Sequence, residues 1–145
     1  MKIETYEITS EDDFFLFFSI GTKGVFPKVI VYETITPNIY NLVFGDLNVL
    51  TGEVSDLSTT NNGDMPKIIA TVVKSIVVFL EKNPSAQVNF KGSTGIRTKL
   101  YQRVIVNYGS EFLKKYLIFG IEEGKKEPSI IDFTKNYIEF NISKA

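Results

Sequence analysis

The chain has 145 residues, 43% of them hydrophobic and 23% charged, with a formal net charge of −1 and no cysteine, histidine or tryptophan. Disulfides, thiolate nucleophiles, cysteine-held metals and a Ser-His-Asp triad are excluded, and no bulk charge draws the chain to nucleic acid or acidic lipid. The length suits one domain over residues 1–145, large enough to bury roughly 68–70% of its extended-chain surface. The opening "MKIETYEITSEDD" turns acidic where the apolar stretch of a secretion signal begins. The longest apolar runs, "IIATVVKSIVVFL" and "FFLFF", fall short of the ~20 residues that span a bilayer. A cytoplasmic protein without a membrane partner is expected. The carboxylates are scattered, so neither a metal site nor a bound cofactor is expected.

In chain order, Ile3, Tyr6 and Ile8 alternate with polar residues as a weak strand over 1–8, and residues 10–13 are polar punctuation. "FFLFFSIGT" (14–22) reads as a strand covered on both faces, Gly21–Gly24 as a turn, and "VFPKVIVYETI" (25–35) as the next strand. Pro27 cannot donate to a ladder and belongs at that strand's start or on an edge. After a turn at residues 36–38, "IYNLVFGDLN" (39–48) alternates Ile39, Asn41 and Val43 against Tyr40, Leu42 and Phe44. Residues 51–64 are polar and rich in Gly, Asn, Ser and Thr. A loop of this length is either functional or a plain crossover. Asp64 as N-cap and Pro66 in the first turn start a helix over 65–82, which Asn83-Pro84 ends. A strand at 86–90 follows, then a helix over about 95–108, a short helical turn at 110–116, a strand at 117–123, a hairpin turn or loop at 124–126 and a closing strand at 136–143. The pattern is α+β: an antiparallel sheet, made of an N-terminal four-strand meander plus C-terminal strands, packed against two main helices.

The segment "NFKGSTGIRTKLYQRVIVNY" (89–108) carries the densest chemistry. Gly92 lets the chain reverse, and Ser93 or Thr94 caps the helix. Ile96, Leu100, Tyr101, Val104, Ile105 and Tyr108 form one apolar face, while Lys99, Gln102, Arg103 and Asn107 point away. These residues suit a capped amphipathic helix with a solvated face. They equally suit an anion site, since free helix N–H groups and the positive dipole end attract phosphate or carboxylate. In that reading Lys91, Gly92, Ser93, Thr94 and Arg97 hold the anion, and Lys99, Tyr101 and Arg103 contact nucleic acid or another ligand. Neither G-x-x-x-x-G-K-[ST] nor G-x-G-x-x-G occurs.

The run "FKGSTGIRTKLYQRVI" (90–105), with the later "FGIEEG" and "YIEFNIS", resembles a family of uncharacterised bacterial proteins, a domain of unknown function sharing F-K-G-S-T-x-x-R-T-x-L-Y-Q-R-x-I. The resemblance implies that Gly92, Ser93, Thr94, Arg97, Tyr101 and Arg103 matter, without saying for what. The same helix is similar to the acetyltransferase segment in which A-x-x-L-Y precedes a Gly-Phe pair. The acetyl-coenzyme A loop of those enzymes, Q/R-x-x-G-x-G/A, is missing.

Three functions compete. The first is a non-catalytic module for single-stranded nucleic acid, motivated by Lys91, Arg97, Lys99, Arg103, Lys114 and Lys115 with Tyr101 and Tyr108 interleaved. The second is a receptor or enzyme for a small phosphorylated or carboxylated ligand, acetyltransferase-like in one form. The third is an interaction protein, a homodimer or one half of a small bacterial regulatory pair, motivated by the apolar density of "FFLFF" and the 68–80 helix. No catalytic constellation can be assigned.

Overall fold

A computed structural model describes residues 4–11, 14–48, 50–55, 62–92 and 95–145, without the side chains of residues 11, 55, 96, 97 and 108–111. The chain enters irregularly through residues 4–8, and the first strand, β1 (Thr9–Glu11), stands where polar punctuation was expected. The strand expected over 1–8 does not form in the described part. Tyr6 is buried, but its N–H donates to Thr71 Oγ1 (2.8 Å) on a helix instead of joining a ladder.

β2 (Phe14–Gly21), β3 (Gly24–Thr36) and β4 (Ile39–Leu47) form the expected meander. Pro27 faces Phe18 of β2, and pairing with β4 begins only at Lys28, so its missing N–H leaves no gap in the ladder. Asn38 takes a left-handed φ of 69° in the turn before β4, a conformation to which asparagine is better suited than most residues. Inside 51–64, β5 (Val54–Ser55) folds back on the end of β4, and residues 56–61 lie outside the description.

α1 (Met65–Lys82) has its expected bounds. Asp64 sits at the N-cap, but its side chain makes no capping bond. Its Oδ2 accepts instead from the Tyr6 hydroxyl (2.5 Å) and Ser19 Oγ (2.6 Å). The carboxylate is spent on the sheet because two buried hydroxyls need an acceptor there. β6 (Gln87–Phe90) follows, then α2 (Gly95–Lys115), β7 (Tyr116–Glu122), β8 (Ser129–Ile130) and β9 (Tyr137–Lys144). The expected break between a helix ending near 108 and a turn at 110–116 is absent: α2 runs through as 21 residues. Phe112 is buried, so the continuation adds a core anchor. That burial outweighs the roughly 1 kcal/mol by which an interior glycine is disfavoured.

One sheet has the order β1-β2-β3-β4-β6-β9-β7-β8, with β5 beside β4. Every pairing is antiparallel except β4–β6, which α1 connects. Register puts Phe15, Phe17, Ile30, Tyr32, Leu42, Val88, Phe90, Ile118, Phe140 and Ile142 on one face, and all are buried. Both helices lie on that face. Phe79 of α1 stacks on Tyr32 (4.1 Å, 6°), and Tyr101 of α2 meets Phe90 edge-on (5.3 Å, 69°). The polar groups that α1 buries are satisfied: Ser75 Oγ donates to Val72 O and lies 2.8 Å from the Tyr32 hydroxyl, and Thr71 Oγ1 donates to Lys67 O. The Tyr40–Leu42–Phe44 side of β4 faces the helices as its alternation predicted. In β9 a register shift opposite Ile121 and Glu122 breaks the expected alternation. Tyr137 is buried with Phe140 and Ile142, whereas Ile138 is exposed.

Candidate functional site

α2 leaves β6 through Lys91 and Gly92, near the middle of the sheet. Lys91 is exposed, and the Gly92 N–H donates to the buried Thr98 Oγ1 (3.1 Å). That amide is therefore engaged within the chain, contrary to the expectation of a free donor. Ser93 and Thr94, and the side chain of Arg97, lie outside the described residues.

Farther along α2, the predicted contact residues divide. Tyr101 is 2% exposed and turned onto Phe90, so its ring belongs to the core and offers no surface to a ligand. Lys99 and Arg103 stand on the opposite side, both exposed. They are four residues apart, about 6 Å along the axis, and so share a face. Among the described residues neither pairs with a carboxylate.

These two cations line an open groove of about 290 Å³ with Gln102, Val106, Asn107, Phe133 and Asn136. Its far wall is the 131–136 loop. Gln102 Nε2 donates to the carbonyls of Phe133 (3.2 Å) and Lys135 (2.9 Å), tying that loop to the helix. The loop is also held from the sheet, where the Asp132 N–H donates to the Tyr137 hydroxyl (2.7 Å) and the Ile131 N–H to Ile118 O (3.1 Å). The Asp132 carboxylate accepts from the Thr134 hydroxyl and N–H, which hold its pKa below the usual range. No carboxylate lines the groove. Its lining offers two cations, three amide side chains, a valine and a phenylalanine, a set suited to an anionic ligand with an apolar or aromatic portion. Phe133 and Asn136 escaped sequence reasoning because only tertiary packing brings their loop to α2. Asn107 was legible as an outward helix position, without any sign of a wall opposite, and Val106 was assigned to neither face.

A second opening lies in the sheet. β4 and β6 pair in parallel only over Ile39–Asn41 and Gln87–Asn89. Among the described residues no strand meets that edge of β4 again until β5 at Asp46 and Leu47. Residues 42–45 have no strand partner on that edge among the described residues, at the carboxyl ends of the two parallel strands, where ligands of open α/β sheets bind. α2 begins five residues after β6 ends, on this side. α1 begins beside the β2–β3 hairpin, where the Thr22 N–H donates to Asn62 O (3.1 Å). A polar cluster fills the start of α1. The Tyr6 hydroxyl also accepts the Ile20 N–H, and Asn62 Nδ2 donates to Ser19 Oγ and Gly24 O. A Cβ on Gly21 would lie 1.9 Å from Asn62 O, so only glycine permits this approach. Burial and then the Asp64 carboxylate raise the Tyr6 pKa. Asp64 Oδ1 is buried without a hydrogen-bond partner among the described residues. With a carboxylate seated there, the start of α1 is a poor place for an anion.

Among the described residues no group of three or more Asp or Glu could hold a metal ion, and no helix is long and apolar enough to cross a membrane. The fold and groove define a class: an α+β domain with both helices on one face of a mostly antiparallel sheet and a cationic groove on the outer side of the second helix. The chain matches the model of a family of unknown function, DUF6934, over residues 2–145, and it belongs to that family. Among curated proteins and solved structures, none matches the chain.

Proposed function

We propose that the protein is a non-catalytic binding module whose ligand is single-stranded nucleic acid, laid along the outer face of α2. The observation that carries this reading is the groove in which Lys99 and Arg103, one helical turn apart and unpaired with acids among the described residues, face Phe133 across a floor of amides. Successive phosphates meet the two cations, and Phe133 offers a base a flat apolar surface. Lys91 extends the cationic track toward the start of the helix. The chain's net charge of −1 makes the attraction local, so the affinity is modest and salt-sensitive.

Titration with labelled single-stranded DNA and RNA at two salt concentrations tests this. Two phosphate contacts give a slope of log K against log salt of about −1.4. The double variant Lys99→Ala/Arg103→Ala removes most of that slope and of the binding. No binding, or binding that neither salt nor the double variant alters, overturns the reading. Stabilisation by phosphate or mononucleotides without oligonucleotide binding transfers the groove to a small phosphorylated ligand.

The open edge of β4 favours a second reading, an acetyltransferase-like enzyme. An acyl carrier with an amide-bearing arm, such as acetyl-coenzyme A, completes the ladder beside Leu42–Gly45 by adding a strand-like segment. The missing Q/R-x-x-G-x-G/A loop and the Asp64 carboxylate both weigh against it. Calorimetric titration with coenzyme A and acetyl-coenzyme A decides the point, and no heat from either eliminates this reading.

A further inference from the structure

The corner where α1 begins is built around one side chain. Asn62 is 3% exposed. Its carbonyl accepts the Thr22 N–H (3.1 Å) and its Oδ1 the Lys23 N–H (2.7 Å), while its Nδ2 donates to Ser19 Oγ (3.1 Å) and Gly24 O (2.9 Å). Asn62 is also the only asparagine of the chain that glycine follows. We propose that Asn62–Gly63 is a self-modification site. The native fold keeps its amide intact, and opening of this corner lets the Gly63 nitrogen convert Asn62 to aspartate or isoaspartate, after which the β2–β3 hairpin no longer locks onto α1.

Water is the only co-reactant. The Gly63 nitrogen gives up its proton and bonds to Asn62 Cγ, the Cγ–Nδ2 bond breaks, and ammonia leaves a five-membered imide. Water then opens the imide at Cγ to give aspartate, or at the main-chain carbonyl to give isoaspartate. Nothing is oxidised or reduced. Glycine presents no Cβ to obstruct the attack, whereas every other asparagine precedes a residue that bears a side chain. In the native state Nδ2 cannot leave without breaking its bonds to Ser19 and Gly24, at a buried place where water does not replace them.

Both products damage the lock. Ser19 Oγ has one proton, and Asp64 Oδ2 takes it (2.6 Å). Position 62 must therefore donate to Ser19 and to Gly24 O, which a carboxylate cannot do, and a second negative charge would stand beside Asp64. Isoaspartate also routes the main chain through the side-chain methylene. That displaces the Asn62 carbonyl, which fits against Gly21 only because Gly21 lacks a Cβ. A chain modified while open thus fails to close again, a chemical route to irreversible unfolding.

The test incubates the chain over days at neutral pH, in native buffer and in guanidinium chloride. Proteolysis with mass spectrometry then locates amide-to-acid conversion, and an isoaspartate-specific methyltransferase labels the second product. Conversion at residue 62 should be at least about tenfold slower in native buffer, a factor that about 1.4 kcal/mol of local protection supplies. Ser19→Ala, folded by circular dichroism, should speed conversion in native buffer and leave the rate in denaturant unchanged. After denaturant is removed, the loss of native signal should match the converted fraction, and Asn62→Asp should reproduce that loss. Equal rates in the two buffers overturn the proposal. So do conversion confined to other asparagines, a Ser19→Ala chain as protected as the wild type, and a converted chain that refolds with the wild-type denaturation midpoint.

Discussion

Arg103 and Tyr101 are two residues apart on one helix and do opposite things. Arg103 reaches solvent at the groove, while Tyr101 is sealed against Phe90. Arg103→Ala should therefore leave the folding free energy within about 0.5 kcal/mol, as surface substitutions usually do, while weakening oligonucleotide binding and flattening its salt dependence. Tyr101→Ala should cost about 3 kcal/mol or more in urea unfolding, as loss of a buried aromatic does. Finding the reverse pattern would move the site into the core. The periodicity of the helix separated these two side chains correctly in space. It could not turn an interleaved tyrosine into a ligand contact, because residue type alone does not say which tyrosines are buried.

The tyrosines also set a pH dependence. Burial and then Glu81, whose carboxylate accepts from the hydroxyl (2.9 Å), push the Tyr116 pKa from 10.0 up to about 12. Burial raises Tyr32 well above the usual range, and Tyr6 shifts the same way. In each case the native state holds the proton more tightly than the unfolded chain. This stability is fully present below pH 10 and declines as pH rises through about 12. Urea midpoints at pH 9 and 11 should show the loss, and Tyr116→Phe should reduce it. A midpoint indifferent to pH in the wild type would refute the assignment.

The 131–136 loop and α2 act as one unit because Gln102 and Tyr137 hold the loop from two sides. Gln102→Ala should speed amide exchange at residues 133–136 and weaken ligand binding, with little change in global stability. Unaltered exchange there would mean that the two hydrogen bonds do not hold the wall. Gly120 of β7 supports the same corner. A Cβ there would fall 2.3 Å from the Tyr137 ring, and that ring cannot retreat without releasing Asp132. Gly120→Ala should cost about 1–3 kcal/mol by overpacking and loosen the groove as well, measured by thermal unfolding and oligonucleotide titration. Neither dependence is visible in sequence. The glycine stands inside an ordinary-looking strand, and the loop lies more than thirty residues from the Gln102 that holds it.

Across the whole molecule, the placement of both helices on one face decides how surface is used. The helix-bearing face buries the core and presents the groove on its outer side. The opposite face is left with apolar ends and an amide centre. The groove and the outer sheet face are therefore separate surfaces, and Ile20→Lys, on an exposed position of that face, should leave oligonucleotide binding unchanged. Weakened binding in that variant, measured by titration of a folded preparation, would contradict that separation.

The sequence by itself determined the local elements: the β2–β3–β4 meander, the bounds of α1, and the inward and outward faces of α2. Each follows from periodicity, turn residues or proline, which act over a few neighbours. Tertiary structure alone decided the parallel β4–β6 join with its open edge, the continuation of α2 through Gly109, the engagement of Asp64 by Tyr6 and Ser19, and the wall that makes a groove of Lys99 and Arg103. Those features arise from partners tens of residues apart. Such partners compete for the same hydrogen bonds and buried space, and only the folded chain settles which of them meet.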